Sequence, residues 1–342
     1  MQTEGMAGVR VAFEPRGAVT GIGSLPQRST EEAIEAVPRW CPAIPFWPQL
    51  PQRNAQEGII AQALGVLGEW IEPRREGFGY VVKDGCIDRV VQGLHRSDGA
   101  LREEWAGGFF ALEEAWRDGK LPLAQAVKGQ IEGPITLAAY LFYRDKTFLA
   151  DASLFAAVAF HVSQIVCWQT ERLRAMGLPV LLFVDEPALC LRATPTTEER
   201  LLSALSATLE DARARGAWAG LHCCAASPFA RMCQVGADVL SFDAHEGLEE
   251  FFLNAAAQRF LQGGGLVAYG LIPTRKDLQD AEASAIFRRW LAAAAMAGDP
   301  PQLARQALVT ATCGLGLLDE AAAEESFALA AEVGAMLAKL AD

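Results

Sequence analysis

Nowhere in the 342 residues is there a run of about 18 uncharged apolar residues, the length a membrane-crossing helix needs, so no such helix is expected. Positive charge is scarce too. Thirty lysines and arginines face 42 aspartates and glutamates, for a net charge of −12. That balance argues against nucleic acid and anionic membrane as partners, and it leaves fold open. The opening stretch MQTEGMAGVRVAFEPRG lacks the basic flank and apolar core of a secretory leader, and the expected location is cytoplasmic. A Ser/Gly/Pro linker and an internal repeat are both missing, so residues 1–342 are expected to form a single domain. Also missing is a glycine-rich phosphate loop. Gly21-Ile22-Gly23-Ser24 has no third glycine and runs into Pro26, which disfavours a doubly wound nucleotide-binding sheet.

What is present is apolar and alternating. Half the residues (51%) are hydrophobic, enough for a large core without covalent staples. Short apolar runs read as strands at 18–23, 43–47, 126–131, 180–184, 218–222, 238–242, 266–270 and 307–312. Helical patterns read at 29–38, 54–70, 134–177 in two pieces, 196–215, 227–235, 246–262, 275–297 and 320–340. Eight strands interleaved with helices predict an α/β chain folded as a TIM (β/α)8 barrel. The stretch 71–120 is an insertion at the rim of the catalytic face. Within it, Tyr80-Val81-Val82 and 86–91 flank Lys83-Asp84-Gly85 and read as a hairpin. Gly263-Gly264-Gly265 reads as a helix end and a tight turn.

In such a barrel the C-terminal ends of all strands open onto one face. Several chemistry-bearing residues fall just past those ends. His222 and Cys224 sit at i and i+2 on an extended segment, so they share a side, while Cys223 points into the wall. Asp243, with His245 two residues on, follows the sixth strand, and Cys313 follows the eighth. Two thiolates, an imidazole and a carboxylate suit a tetrahedral Zn²⁺ site assembled from several strands. Cys41, Cys86, Cys167, Cys190 and Cys233 read as core or surface thiols. Asp185 and Glu186 end the fourth strand, where buried carboxylates need a partner. A substrate ammonium would supply one, and Asp185 is the candidate catalytic group; a helix cap is the other use for such a residue. The Ile22-Gly23-Ser24 turn offers amides and a hydroxyl to an anionic group. Glu132 stands beside a helix start opened by Pro134, as a substrate contact or as a complement to the helix dipole.

These residues resemble the catalytic C-terminal barrel of cobalamin-independent methionine synthase, within the wider group shared with uroporphyrinogen decarboxylase. The matching stretches are Ile22 to Gln27, Arg53-Asn54, Gly133 to Thr136, Val184 to Leu189, His222-x-Cys224, Asp238 to Asp243 and Cys313-Gly314-Leu315, in the family's order along nearly the whole chain. The resemblance implies that His222, Cys224 and Cys313 bind zinc, with Asp243 standing where the family has a glutamate ligand; His245 or water is the alternative fourth donor. It further implies that Ile22, Ser24 and Asp185 hold the amino-acid part of homocysteine. Zinc supplies the deprotonation that a free thiol lacks at neutral pH.

The family's segment after strand seven carries a histidine taken to help protonate the pterin leaving group. Here that segment is Tyr269-Gly270-Leu271-Ile272-Pro273-Thr274, without one. A methylcorrinoid leaves without needing a proton, so a corrinoid protein is the expected donor in preference to methyl-folate. The expected reaction is methyl transfer to a small-molecule thiol. A decarboxylase of the uroporphyrinogen type would need a cluster of cations from Arg16, Arg28, Arg53 and Arg275, and it would leave the thiols without a task. A zinc-dependent thiol-binding barrel without catalysis is the remaining alternative.

Overall fold

A computed structural model describes residues 10–191, 193–225, 228–274, 278 and 280–342. Eleven strands occur among them: β1 (Ala18–Val19), β2 (Ile71–Pro73), β3 (Tyr80–Val82), β4 (Val127–Glu132), β5 (Leu141–Tyr143), β6 (Lys146–Thr147), β7 (Val180–Asp185), β8 (Trp218–Cys223), β9 (Val239–Asp243), β10 (Leu266–Ile272) and β11 (Ala307–Ala311). Seven of these form one curled parallel sheet in the order β1-β11-β10-β9-β8-β7-β4. Helices follow most of the strands as the apolar periodicity predicts. Among them are Thr30–Trp40, Ala152–Arg174, Pro195–Ala214 and Glu320–Ala341. The expected helix at 54–70 is instead broken into short turns over Ala55–Glu57, Ile59–Ala63 and Gly65–Trp70, and that at 246–262 is split into Ala244–Leu253 and Ala255–Gln262. The expected helices at 227–235 and 275–297 begin on or next to residues outside the described set. Their described parts run over Phe229–Gln234 and Ala283–Ala294.

The two faces of the sheet are separate cores, as a side-chain period of two requires. Val180, Leu182 and Val184 pack outward with the helices, whereas Leu181 and Phe183 turn inward with Ile44, Ala126, Val239, Leu266, Ala268 and Leu308. Helix Ala152–Arg174 is long and apolar enough to cross a bilayer by composition, and half of its most apolar stretch is buried here. It carries buried His161, Gln169 and Thr170.

The expected strand at 43–47 is not a strand. Prolines at 42, 45, 48 and 51 remove every third amide donor, which a ladder cannot tolerate. The segment still touches both edges of the sheet. Phe46 bridges Lys128 of β4, and Gln49 bridges Ser24 beyond β1. Lys128 N donates to Pro45 O at 2.9 Å, and Gln49 N to Gly23 O at 3.0 Å.

The expected hairpin within 71–120 is displaced by one element. β3 pairs antiparallel with β2, and the expected partner at 86–91 is instead the start of helix Ile87–His95. Ile87, Val90 and Leu94 recur at helical spacing, with Val90 and Leu94 fully buried, so the period of 3.6 wins over local strand propensity. β3 also runs parallel to β5, and β6 completes a second, four-stranded sheet. The triple glycine behaves as expected: helix Ala255–Gln262 ends at Gly263, and Gly264 takes the left-handed conformation at φ 85°.

Candidate active site

The parallel register sets one row of polar side chains across the inner face. Glu132 pairs with Asp185, Asp185 with His222, and His222 with Ser241. All four are buried, at the C-terminal ends of β4, β7, β8 and β9. Below them the inner face is largely apolar, with Lys128 and Gln130 of β4 as buried polar exceptions. A buried row of this kind must find partners or hold a ligand.

Three of its atoms have no hydrogen-bond partner: Glu132 Oε1, Asp185 Oδ1 and His222 Nε2. The other ring nitrogen of His222, Nδ1, lies 2.9 Å from Ser241 Oγ, which orients the imidazole. Cys223 packs into the outer core, opposite His222. Cys224 is partly buried and Cys313 is exposed. The two thiols are in contact: a hydrogen bond from Cys224 holds the Cys313 thiol far below its ordinary value, and the His222 imidazole helps. Cys224, as donor to that thiolate, is pushed up, and burial adds to the rise. Among the described residues, no three His, Cys, Asp or Glu side chains stand in position to hold a metal ion.

Asp243 lies at the end of β9, where its Oδ1 accepts from His245 N at 3.0 Å and Glu246 N at 3.1 Å, capping helix Ala244–Leu253. Glu186 is a second capping carboxylate. It accepts from Ile135 N at 2.7 Å, Thr136 N at 2.8 Å and Thr136 Oγ1 at 2.6 Å at the start of helix Pro134–Tyr140. The helix-dipole role expected of Glu132 therefore belongs to Glu186. Gly133 makes room for it, since a Cβ there would stand 2.3 Å from the Glu186 carboxyl carbon. Glu132 is left with one unsatisfied oxygen, and burial beside Asp185 and Glu186 drives its carboxyl well above the usual range. Burial likewise raises Asp185 to about 6, against the opposing pull of His222 and Lys128.

The Ile22–Ser24 turn sits against the Cys313 loop. Leu315 N donates to Ser24 O at 2.8 Å, and Cβ atoms on Gly314 or Gly316 would come within 3.1 Å of Ser24 Cβ. Ile22 and Ser24 are half-buried, and Gly23 is buried against the Gln49 and Gln130 amides. The β2–β3 hairpin reaches the same end of the sheet. It walls a cleft of about 590 Å³ with Ile59, Phe78, Tyr80, Tyr140 and Pro187, and Glu132 is part of its lining.

The arginines do not gather here. Arg16 binds Ala341 O, Arg28 contacts Gln52, and Arg53 pairs with Glu57. Arg275 lies outside the described residues. The sequence reading missed Lys128 and Gln130, which share the inner face with Glu132. The signal was there in 127–132, where these polar residues alternate with apolar ones along a buried strand.

A curled parallel sheet with its polar row at the strand ends defines an α/β protein of the barrel-like class. The chain is similar in structure to a B12-independent methionine synthase from Shewanella sp. W3-18-1 in complex with selenomethionine, with a TM-score of 0.55 and 13% identity, over 97% of this chain and 96% of that one. It is similar also to a methyltransferase from Methanosarcina mazei, with a TM-score of 0.55 and 12% identity, over 93% and 94% of the two chains. At these identities the likeness is one of fold. No protein-family model matches the chain, and no curated protein matches it.

Proposed function

We propose that the chain is a (β/α)8 barrel, one domain over residues 1–342, in which 43–49 takes the place of the second strand, and that it is a cytoplasmic S-methyltransferase acting on an amino-acid thiol, best matched by homocysteine. The observation that carries this reading is the meeting of Cys224, Cys313 and His222 at the mouth, where the Cys224 thiol and the His222 imidazole both engage the Cys313 sulfur. A thiol pair sharing one proton next to an imidazole is a soft donor set of the kind zinc selects. His222, Cys224 and Cys313 would hold the metal, with Asp243 or His245 as the fourth donor. Zinc bound there would lower the pKa of the substrate thiol, so that the sulfur is nucleophilic at neutral pH. Asp243 caps a helix through Oδ1 and can serve a metal only through its other oxygen.

The protein's own groups do the rest. Asp185 and Glu132 offer two unpartnered oxygens to the substrate ammonium. The Ile22-Gly23-Ser24 turn receives its carboxylate. Glu186 fixes the start of the helix beside them. The cleft under Phe78 and Tyr80 is the side from which the methyl donor approaches. The donor is a methylcorrinoid, carried by a partner protein, because Gly270 to Thr274 include no titratable side chain to protonate a leaving nitrogen. The likeness to a methionine synthase solved with selenomethionine supports an amino-acid acceptor.

Elemental analysis of chelator-free protein tests the reading first: about one zinc per chain is expected. Methyl transfer from methylcobalamin to homocysteine, with none from methyltetrahydrofolate, is the expected activity. Protein that holds no zinc even after zinc is added back would end this reading.

A further inference from the structure

Lys128 is 2% exposed and lies on the inner face of β4, below Glu132. Its Nζ donates to Ile22 O at 2.6 Å and to Gln130 Oε1 at 2.9 Å, and it stands 4.9 Å from the centre of the Phe183 ring. Its three N–H directions are thus met by a carbonyl, an amide oxygen and an aromatic face, all neutral. Among the described residues no carboxylate forms an ion pair with it. A buried ammonium without a counter-ion is a costly choice where a methionine of similar length would fill the same space. What the charge does there, and an apolar chain would not, is grip a loop and act on a neighbouring carboxyl.

The gripped carbonyl belongs to Ile22, in the first-strand turn. Gln130, the second acceptor, donates to Trp47 O at 2.9 Å and packs against Gly23 so closely that a Cβ there would meet its amide at 2.9 Å. Lys128 and Gln130 therefore hold the turn from beneath, while Leu315 N holds Ser24 O from the Cys313 side. The carboxyl is Asp185, whose acidity the ammonium strengthens against burial. The same mutual pull raises Lys128 from where burial alone would put it.

We propose that Lys128 is a positioning residue of the mouth, fixing the Ile22–Ser24 turn and supplying the positive charge beneath Asp185, so that the ammonium and carboxylate of an amino-acid thiol meet groups already in place. This rests on the reading of the site as one for an amino-acid thiol. Lys128 itself stays below the substrate; its effect passes through the turn and through Asp185.

A comparison of two thiols separates this role from a general structural one. Binding of L-homocysteine and of 1-propanethiol, which has the thiol but neither handle, is measured by calorimetry on the zinc-loaded protein and on Lys128→Met. The variant is expected to bind homocysteine at least about tenfold more weakly and propanethiol equally well, with unchanged zinc content. Equal losses for both thiols, or no loss for either, would overturn the role of Lys128 and leave the thiol reading intact. An unaltered protein that binds propanethiol and homocysteine alike would overturn the amino-acid thiol reading, and this role with it. Should Lys128→Met not fold, Lys128→Gln drops the charge while keeping a donor, and carries the same comparison.

Discussion

Glu132 and Asp185 are direct register partners across β4 and β7, and each ends in a buried oxygen that no protein group satisfies. Burial pushes both carboxyls upward, and the charge of Asp185 adds to the rise of Glu132. A ligand bringing an ammonium would relieve both at once. Asp185→Asn is expected to weaken homocysteine binding by roughly ten- to a hundredfold, the loss of one charge-assisted hydrogen bond of about 1.5–3 kcal/mol. Glu132→Gln should weaken it less, because its carboxyl already favours the neutral form. Calorimetric titration checks both, and unchanged affinity in Asp185→Asn would remove the ammonium contact.

Glu186 sits next to Asp185 in the chain and does different work. Its three accepted hydrogen bonds tie the start of helix Pro134–Tyr140 to the end of β7. Glu186→Ala strands two buried amides and a hydroxyl, at a cost of about 3 kcal/mol or more. Gly133→Ala should be comparably harmful, since the added methyl meets that carboxyl. Urea unfolding measures both. A Glu186→Ala variant as stable as the parent would show that the cap is not formed.

Zinc content separates three neighbouring cysteine and carboxylate roles. Cys224→Ala and Cys313→Ala are expected to lose the metal. Cys223→Ala should keep it, because that thiol packs into the outer core and pays only a modest packing loss. Asp243→Asn preserves the helix cap and removes the anionic donor, so its zinc affinity compared with that of the parent reports ligation alone. Metal retained in Cys224→Ala would move the site elsewhere.

Lys128 links stability to pH in a known direction. Burial lowers it from 10.5 to about 8. Between those values the unfolded chain holds a proton that the folded chain has released, so this group's contribution to stability rises with pH. That contribution is complete above 10.5 and lost as pH falls through 8. The stability difference between the parent and Lys128→Met should therefore grow in the parent's favour from pH 8 towards 10.5, by up to roughly 3 kcal/mol. A pH-independent difference would show that the ammonium keeps its solution character.

Much of this was legible in the sequence because buried parallel strands announce themselves as short apolar runs. β4, β7, β8, β9, β10 and β11 fall within a residue or two of the expected places. The end-of-strand residues His222, Cys224 and Cys313 were visible for the same reason, and they do come to one mouth. What failed depended on backbone donors and on helical period. The apolar stretch 43–47 reads as a strand until its prolines are counted as missing amides, and 86–91 reads as a strand until Ile87, Val90 and Leu94 are read at helical spacing. Which of Glu132 and Glu186 caps the helix could not be read from their positions, because that choice is made by the approach of β7 to β4. Lys128 escaped notice because a lone lysine in an apolar run is ordinarily a surface residue.

The proline-spaced segment 43–49 has a mechanical consequence. It is the seam at which the first and third stations of the curled sheet are stitched together, by single bridges instead of a ladder. Lys128 lies on one side of that seam and the Ser24 turn on the other, and Gln130 reaches across to Trp47. The turn proposed to receive the substrate carboxylate and the strand that carries Glu132 are thus joined through single bridges, so loosening residues 43–49 is expected to alter their spacing before it breaks a ladder.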